Sequence, residues 1–454
     1  MLFQRIESEG LAHYSYLVGS AGQAIIIDPR RDCDVYVDTT LRAGYRITHI
    51  LETHRNEDYV VGSMELAART GAQVWHADSQ WDYQYGQPVQ DGQTWRLGGL
   101  SLKAMHTPGH TPGSMSYLLY DSGSAPLLLF GGDVLFADDV GRTDLLGQER
   151  LAQMTGLLYE TIFHKLLPLG DHIILCPAHG AGSVCGAAIG DRPWTTLGFE
   201  RQHNPRLRYT TRVDFLANVG KMLELPPYFA HMEQLNLEGV PLLGPLPAPI
   251  PLRARDFAGR LEQSVVVDTR MELGFASAHV PGSTSIWLDG LASFAGWFLP
   301  YDKPLLLVDE TENPEEATRR LIRMGYDQLT GYLAGGMLAW HKAGLESRSV
   351  AAVTVQQVCR RIDSSEEMWI LDVRSDAELE HVRIPGARHI HITQLPQHLD
   401  EVPRDRDVYV FCGSGLRSMI AASLLQRAGY ERLAVVLGGI GGWISIRCPL
   451  ERRS

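Results

Sequence analysis

Residues 264–443 contain two blocks that repeat one another at a nearly constant offset, so the second half of the chain is expected to fold as two copies of one unit. The run SVVVDTR at 264–270 answers MWILDVR at 368–374, with Asp268 and Asp372 standing 104 positions apart. HVPGS answers VRIPGA with Pro281 and Pro385 at that same spacing, RMGY answers RAGY through Tyr326 and Tyr430, and LAGGMLAW answers LGGIGGW. Self-similarity at a fixed period marks a duplicated unit, here of about one hundred residues. Each copy reads as a short apolar strand, a turn, a second apolar strand (PLLLV; VYVFC), a helix and a further strand. That order predicts an α/β fold with a mostly parallel sheet. The proline-rich stretch GVPLLGPLPAPIPLR, 239–253, predicts a stiff linker before the first copy. The expected divisions are therefore 1–245, 250–349 and 350–454.

With 454 residues the chain has room for several compact units, and its 44% hydrophobic and 21% charged residues predict folding throughout. A net charge of −12 argues against nucleic acid or an anionic membrane as partner, because both require clustered Lys and Arg to neutralise phosphates. Small molecules are the expected ligands. The six cysteines are scattered with no CxxC pair, which predicts reduced thiols rather than a disulfide framework. The segment MLFQRIESEGLAHYSYLV lacks a basic stretch followed by an apolar core, and no apolar run approaches about 18 residues. A cytoplasmic location is the expectation. In the first unit, strand-like runs such as ITHILETH and PLLLFGGD end in His54 and Asp133, where a rigid scaffold can present a site.

Four fragments in order, THRNEDY, HTPGHTPGSMSYLL, FGGDVLF and PAHGAGS, resemble the metallo-β-lactamase superfamily across residues 1–245. The resemblance implies an αββα sandwich and a metal site. Where the superfamily carries HxHxDH followed by later His, Asp and His residues, this chain has His54, Asn56, Asp58 and Tyr59, then His110, Asp133 and His179. Asn56 removes a ligand from the first metal and Tyr59 one from the second. What remains for the first metal is His54, His110 and Asp133. Two histidines and one carboxylate suit a single non-haem Fe(II) with open positions, and make two-metal hydrolysis less apt; zinc is the competing ion. Asp58 and His179, with Asn56 and Tyr59, are expected to orient ligands or mark a lost second metal. Persulfide dioxygenases of this superfamily are similar in that three-residue set and in a GRTD motif. The resemblance implies that Arg142, in VGRTDLLG, helps bind an anionic substrate; a structural arginine capping a loop is the alternative.

The sequence FCGSGLRSMIAASLLQRAGY, 411–430, carries a second chemistry. An apolar strand delivers Cys412 into the loop CGSGLR, whose glycines let backbone N–H groups turn inward before a helix begins. Gly413, Ser414, Gly415, Leu416 and Ser418 form the expected anion cradle. A free thiol with pKa near 8.5 is only about 3% thiolate at pH 7, and a helix N-terminus with Arg417 is expected to activate Cys412 as a nucleophile. The loop and its context, LDVRSDAE, RIPGA and LGGIGGW, resemble the rhodanese sulfurtransferases over residues 350–454. The C-x4-R spacing favours sulfur transfer over dephosphorylation, because related phosphatases use one residue more. Arg383 departs from the histidine that family often has before Pro-Gly. The first copy has no such cysteine: the offset places Val308 opposite Cys412, or Asp309 if the alignment slides by one, so 250–349 reads as a degenerate rhodanese. Cys185 is either an auxiliary thiol near the metal or a packed structural residue.

The resulting expectation is an α/β chain: a persulfide dioxygenase-like metallo-β-lactamase unit followed by two rhodanese-like domains, one inert and one active. It would hold one Fe(II) per chain and oxidise a low-molecular-weight persulfide, of glutathione or another thiol, with O₂ to sulfite. Cys412 would exchange sulfur among persulfide, sulfite and thiosulfate. A homo-oligomer is compatible with the sequence. The alternatives are a glyoxalase II-like thioester hydrolase, and a sulfurtransferase whose first unit is a metal-free scaffold.

Overall fold

The computed structural model describes residues 1–186, 188–311 and 313–450. Two compact units emerge: Met1–Leu246 with Arg319–Gly325, and Pro247–Thr318 with Tyr326–Ser454.

The first unit is built on two six-stranded sheets. One runs Leu2–Ser8, His13–Ser20, Gln23–Ile27, Arg46–Leu51, Gln73–His76, Gln87–Pro88. The other runs Thr195–Thr196, Ile174–Pro177, Pro126–Gly132, Met115–Tyr120, Leu100–His106, Thr94–Leu97. Side chains alternate across a strand, so a strand buried on both faces must be apolar at every position. Gln23–Ile27 shows this: Ile25 and Ile27 join Val18, Leu51, Leu102, Tyr117 and Phe130 between the sheets. Its Ile26 turns the other way, with Leu17 and Ile50, toward Tyr36 and Leu66 of the helices Asp34–Ala43 and Ser63–Thr70. On the far face of the second sheet, Leu129 and Leu175 pack with Leu158 of the helix Gln148–Glu160. The result is a four-layer αββα sandwich.

The second unit contains two five-stranded, all-parallel sheets of the same strand order. The repeated D-x-R motif has a physical reason. At the end of the strands Val265–Asp268 and Trp369–Asp372 the carboxylate clamps the arginine two residues on: Arg374 Nη2 donates to Asp372 Oδ2 at 2.6 Å and Arg270 Nη2 to Asp268 Oδ2 at 2.6 Å. The same nitrogens then donate to the carbonyls of Val382 and Ala278, which closes the turn after the following helix. The two copies share a core: Phe275 and Ala276 of the first lie among Leu371, Met419, Ile420 and Val435 of the second.

Register settles the alignment of the copies. Asp268 faces Val308 across its sheet and Asp372 faces Phe411, so Asp309, not Val308, is the counterpart of Cys412. Asp309 accepts hydrogen bonds from Thr269 and Thr311 and holds its loop by them. The expectation that all cysteines are reduced is corrected: Cys359 and Cys448 form a disulfide, with Cα atoms 5.9 Å apart across 89 positions of sequence. Such a pairing has no short-range signature. Among the described residues, no helix is long and apolar enough to cross a membrane.

Candidate functional site

Four segments of the first unit end at one place. The strand Arg46–Leu51 leads into the loop with His54, Glu57 and Asp58; the turn after Leu100–His106 carries His110. The parallel strands Pro126–Gly132 and Ile174–Pro177 deliver Asp133 and His179. All six side chains are buried. His54 Nε2 and His110 Nε2 lie 3.8 and 3.6 Å from Asp133 Oδ2, so the three residues expected to grip a metal do face one another.

Both imidazoles are held with Nε2 unprotonated when neutral. His110 Nδ1 donates to the carbonyl of Arg142 at 2.9 Å. Thr53 Oγ1 gives its proton to Asp28 Oδ2 at 2.7 Å, so His54 Nδ1 is the donor to that hydroxyl at 2.9 Å. A proton on Nδ1 leaves the lone pair on Nε2, and among the described residues Nε2 of each ring has no hydrogen-bond partner despite full burial. Gly132, with φ +54°, lets Thr53 approach: a Cβ there would fall 2.7 Å from the hydroxyl.

The second set of expected residues is arranged differently. His179 bridges two carboxylates, with Nδ1 2.8 Å from Asp133 Oδ1 and Nε2 3.0 Å from Asp58 Oδ2. Burial disfavours the charged ring, but these two carboxylates outweigh it and hold His179 well above the usual histidine range. Burial likewise opposes ionisation of Asp133, and His179 and His54 with their neighbours outweigh it, holding that carboxyl well below its usual range. Tyr59 packs its ring 4.0 Å from that of His13, and its buried hydroxyl has no hydrogen-bond partner among the described residues. Asn56 turns its amide back to the carbonyl of His54 at 3.3 Å.

Three residues of the site lay beyond the sequence reading. Glu57 enters the space between the histidines, with Oε1 3.1 Å from His110 Nε2 and Oε2 3.9 Å from His54 Nε2. In the motif it is merely the residue before Asp58, and only its acidity could have drawn attention. Asn236, on the helix Phe229–Glu238, donates to the carbonyls of Asn56 and Tyr59 and accepts from the N–H of Val61, which pins the whole loop. Asp28 supports Thr53 as described. Cys185 does lie at the site: its Sγ donates to Glu57 Oε1 at 3.5 Å, and burial pushes the thiol well above its usual range.

Arg142 meets a different fate from the expected one. Its guanidinium is paired with Asp144 at 2.7 and 2.9 Å and capped by the carbonyls of Val184, Leu223 and Glu224. The side chain thus clamps loops, and the residue reaches the site through its backbone carbonyl on His110.

In the second unit, the strand Val408–Phe411 runs into Cys412, and the helix Leu416–Arg427 starts just beyond it. The N–H groups of Gly415 and Ser418 point at Cys412 Sγ from 3.1 and 3.4 Å, which makes the cradle read from the glycines. The neighbouring turn supports it: Gly438 and Ile440 donate to the carbonyls of Ser414 and Cys412. A Cβ on Gly439 would lie 2.3 Å from the backbone of Gly413, so that contact requires glycine. Arg417 is held by a carboxylate. Its two terminal nitrogens donate to Glu378 at 2.7 and 2.8 Å, fixing the first helical turn against the helix Asp376–His381. Ser418 Oγ is buried without a hydrogen-bond partner among the described residues.

Comparison with known proteins gives two family matches: the metallo-beta-lactamase superfamily over residues 9–179 and the rhodanese-like domain over 253–343 and again over 354–446. A crystal structure of a metallo-beta-lactamase from Staphylococcus aureus superposes with a TM-score of 0.66 at 30% identity, covering 74% of this chain and 98% of that one. A hydroxyacylglutathione hydrolase from Haemophilus influenzae is 28% identical over 209 residues, 40% of this chain and 87% of its own. A mitochondrial persulfide dioxygenase from Bos taurus is 27% identical over 232 residues, 47% of this chain and 78% of its own.

Proposed function

Since the chain belongs to the metallo-β-lactamase superfamily and carries two rhodanese-like domains after that unit, we propose that it is a sulfur-metabolising enzyme with two sites. The first oxidises a low-molecular-weight persulfide at one iron, and the second transfers sulfane sulfur through Cys412. The observation that carries the first half is the meeting of His54, His110 and Asp133, with two buried imidazole nitrogens that have no partner. That donor set fits a divalent cation, and two histidines with a carboxylate suit Fe(II). When bound, the iron would supply a centre at which O₂ and a persulfide react. Overall, one persulfide, one O₂ and one water give a thiol, one sulfite and two protons.

The protein's own part in that reaction is positional. Thr53 and the Arg142 carbonyl orient the two imidazoles, His179 orients Asp133, and burial keeps bulk water away from charged groups, which strengthens every electrostatic contact there. At the second site the N–H groups of Gly415 and Ser418 stabilise negative charge on sulfur. The Cys412 thiolate attacks the outer sulfur of thiosulfate; an S–S bond forms to Cys412, the old one breaks, and sulfite leaves with the electron pair. The reverse step makes thiosulfate from sulfite, so the product of the first site is a substrate of the second.

The test is metal content and persulfide-dependent O₂ uptake after anaerobic loading with Fe(II). One iron per chain with O₂ consumption is expected. Tight zinc with no O₂ uptake would reject the first half, and hydrolysis of a glutathione thioester in its place would favour the reaction named for the Haemophilus relative.

A further inference from the structure

The buried cluster offers one donor more than the three on which the proposed oxidation rests. We infer that Glu57 is a ligand of the same divalent cation as His54, His110 and Asp133, occupying the position that Asn56 leaves open. The inference depends on the metal-centre reading above and adds to it a fourth ligand and a limit on the substrate.

Distance is the first argument. Bonds of about 2.0–2.2 Å to one ion set neighbouring donors about 3.0–3.5 Å apart. Glu57 approaches His110 Nε2 through Oε1 at 3.1 Å and His54 Nε2 through Oε2 at 3.9 Å, and Asp133 Oδ2 lies 3.6 and 3.8 Å from the same two nitrogens. The two carboxylates thus flank the pair of imidazoles at separations close to those of donors around one ion.

Unmet bonding is the second. Among the described residues, His54 Nε2, His110 Nε2 and Glu57 Oε2 are all buried without a hydrogen-bond partner. Leaving such atoms unsatisfied costs about 1–3 kcal/mol each, and more when charged. A cation among them satisfies all three at once. Charge is the third argument. Two carboxylates and two neutral imidazoles together balance the charge of a divalent ion. Asn56 donates its amide nitrogen to the carbonyl of His54 and brings no charge to the site. Cys185, through its thiol on Oε1, is a positioning residue for Glu57.

The consequence for substrate follows from counting. A six-coordinate ion with three protein ligands keeps three positions, but with Glu57 bound it keeps two. That is room for a persulfide held through a single atom beside O₂, and none for a chelating substrate.

Co(II) titration of the full-length chain tests this, with chelator competition for affinity and visible absorption for coordination. Wild-type protein is expected to bind one Co(II). Glu57→Gln, folded by circular dichroism, is expected to bind at least ~10-fold more weakly and with an altered spectrum. If Glu57→Gln fails to fold, Glu57→Asp, a carboxylate one methylene shorter, takes its place and is expected to shift the spectrum. Unchanged affinity and spectrum in the folded variant would overturn Glu57 as a ligand and leave the three-residue site standing. Folded wild-type protein that binds no Co(II) would overturn both.

Discussion

At the residue scale, the chemistry depends on small groups that decide where a proton sits. Thr53 is the clearest case, because its hydroxyl spends its proton on Asp28 and so dictates which nitrogen of His54 is free. Thr53→Val keeps the shape and removes the hydroxyl. It is expected to weaken metal binding by about 10–100-fold, as outer partners of metal ligands typically do, measured by chelator competition. Glu378 gives a pH dependence. Burial would raise its pKa, but the Arg417 fork and the Ser375 donors outweigh this and lower it from 4.5 to about 2. A carboxylate with a depressed folded pKa contributes stability above its unfolded value and loses it as pH falls through the folded one. The Glu378–Arg417 clamp should therefore be intact above about pH 4.5 and fail progressively toward about pH 2. Urea midpoints at a series of pH values should show wild type losing its advantage over Glu378→Gln across that window. An advantage that stayed constant would mean the ionisation of Glu378 contributes nothing to folding.

At the element scale, what was legible in the sequence is what local pattern can encode. The duplicated strands could be read because each is short, apolar and bounded by the same D-x-R clamp, and the ends of the strands in the first unit did converge on His54, His110 and Asp133. Glu57 was not legible because the direction of a loop side chain depends on the fold around it, here on a loop pinned by Asn236 from a helix far along the chain. The Cys359–Cys448 pairing escaped for a similar reason: nothing near either residue specifies the other. Arg417 beside Cys412 suggested an electrostatic partner for sulfur, but a distant glutamate claims it. The helix Glu272–Ser277 shows a further long-range effect, since it places Phe275 in the core of the other copy. Phe275→Ala is expected to cost about 3–5 kcal/mol, the usual range for a fully buried phenylalanine. Calorimetry of the full chain should find the transition of the second unit lowered, while Co(II) binding in the first is retained.

At the scale of the whole molecule, the two proposed chemistries use different groups and should come apart cleanly. Removing metal with a chelator is expected to abolish O₂ uptake and to leave sulfur uptake from thiosulfate intact. Cys412→Ser is expected to do the reverse, with mass spectrometry detecting no sulfur adduct on the protein. Loss of both activities from either treatment would show that the sites are not independent.

Phe275 and Ala276 also bear on how this chain can be shortened. A copy with Asp309 where its twin has Cys412 still serves as a wall of that twin, and Gln426 and Ser423 of the twin are tied to it by hydrogen bonds from His279 and Ser285. Excising the first copy to obtain a minimal sulfurtransferase would strip that wall away and bare an oily seam along the helix that follows Cys412. The trimmed fragment should clump, and swapping the exposed residues for polar ones would be the remedy.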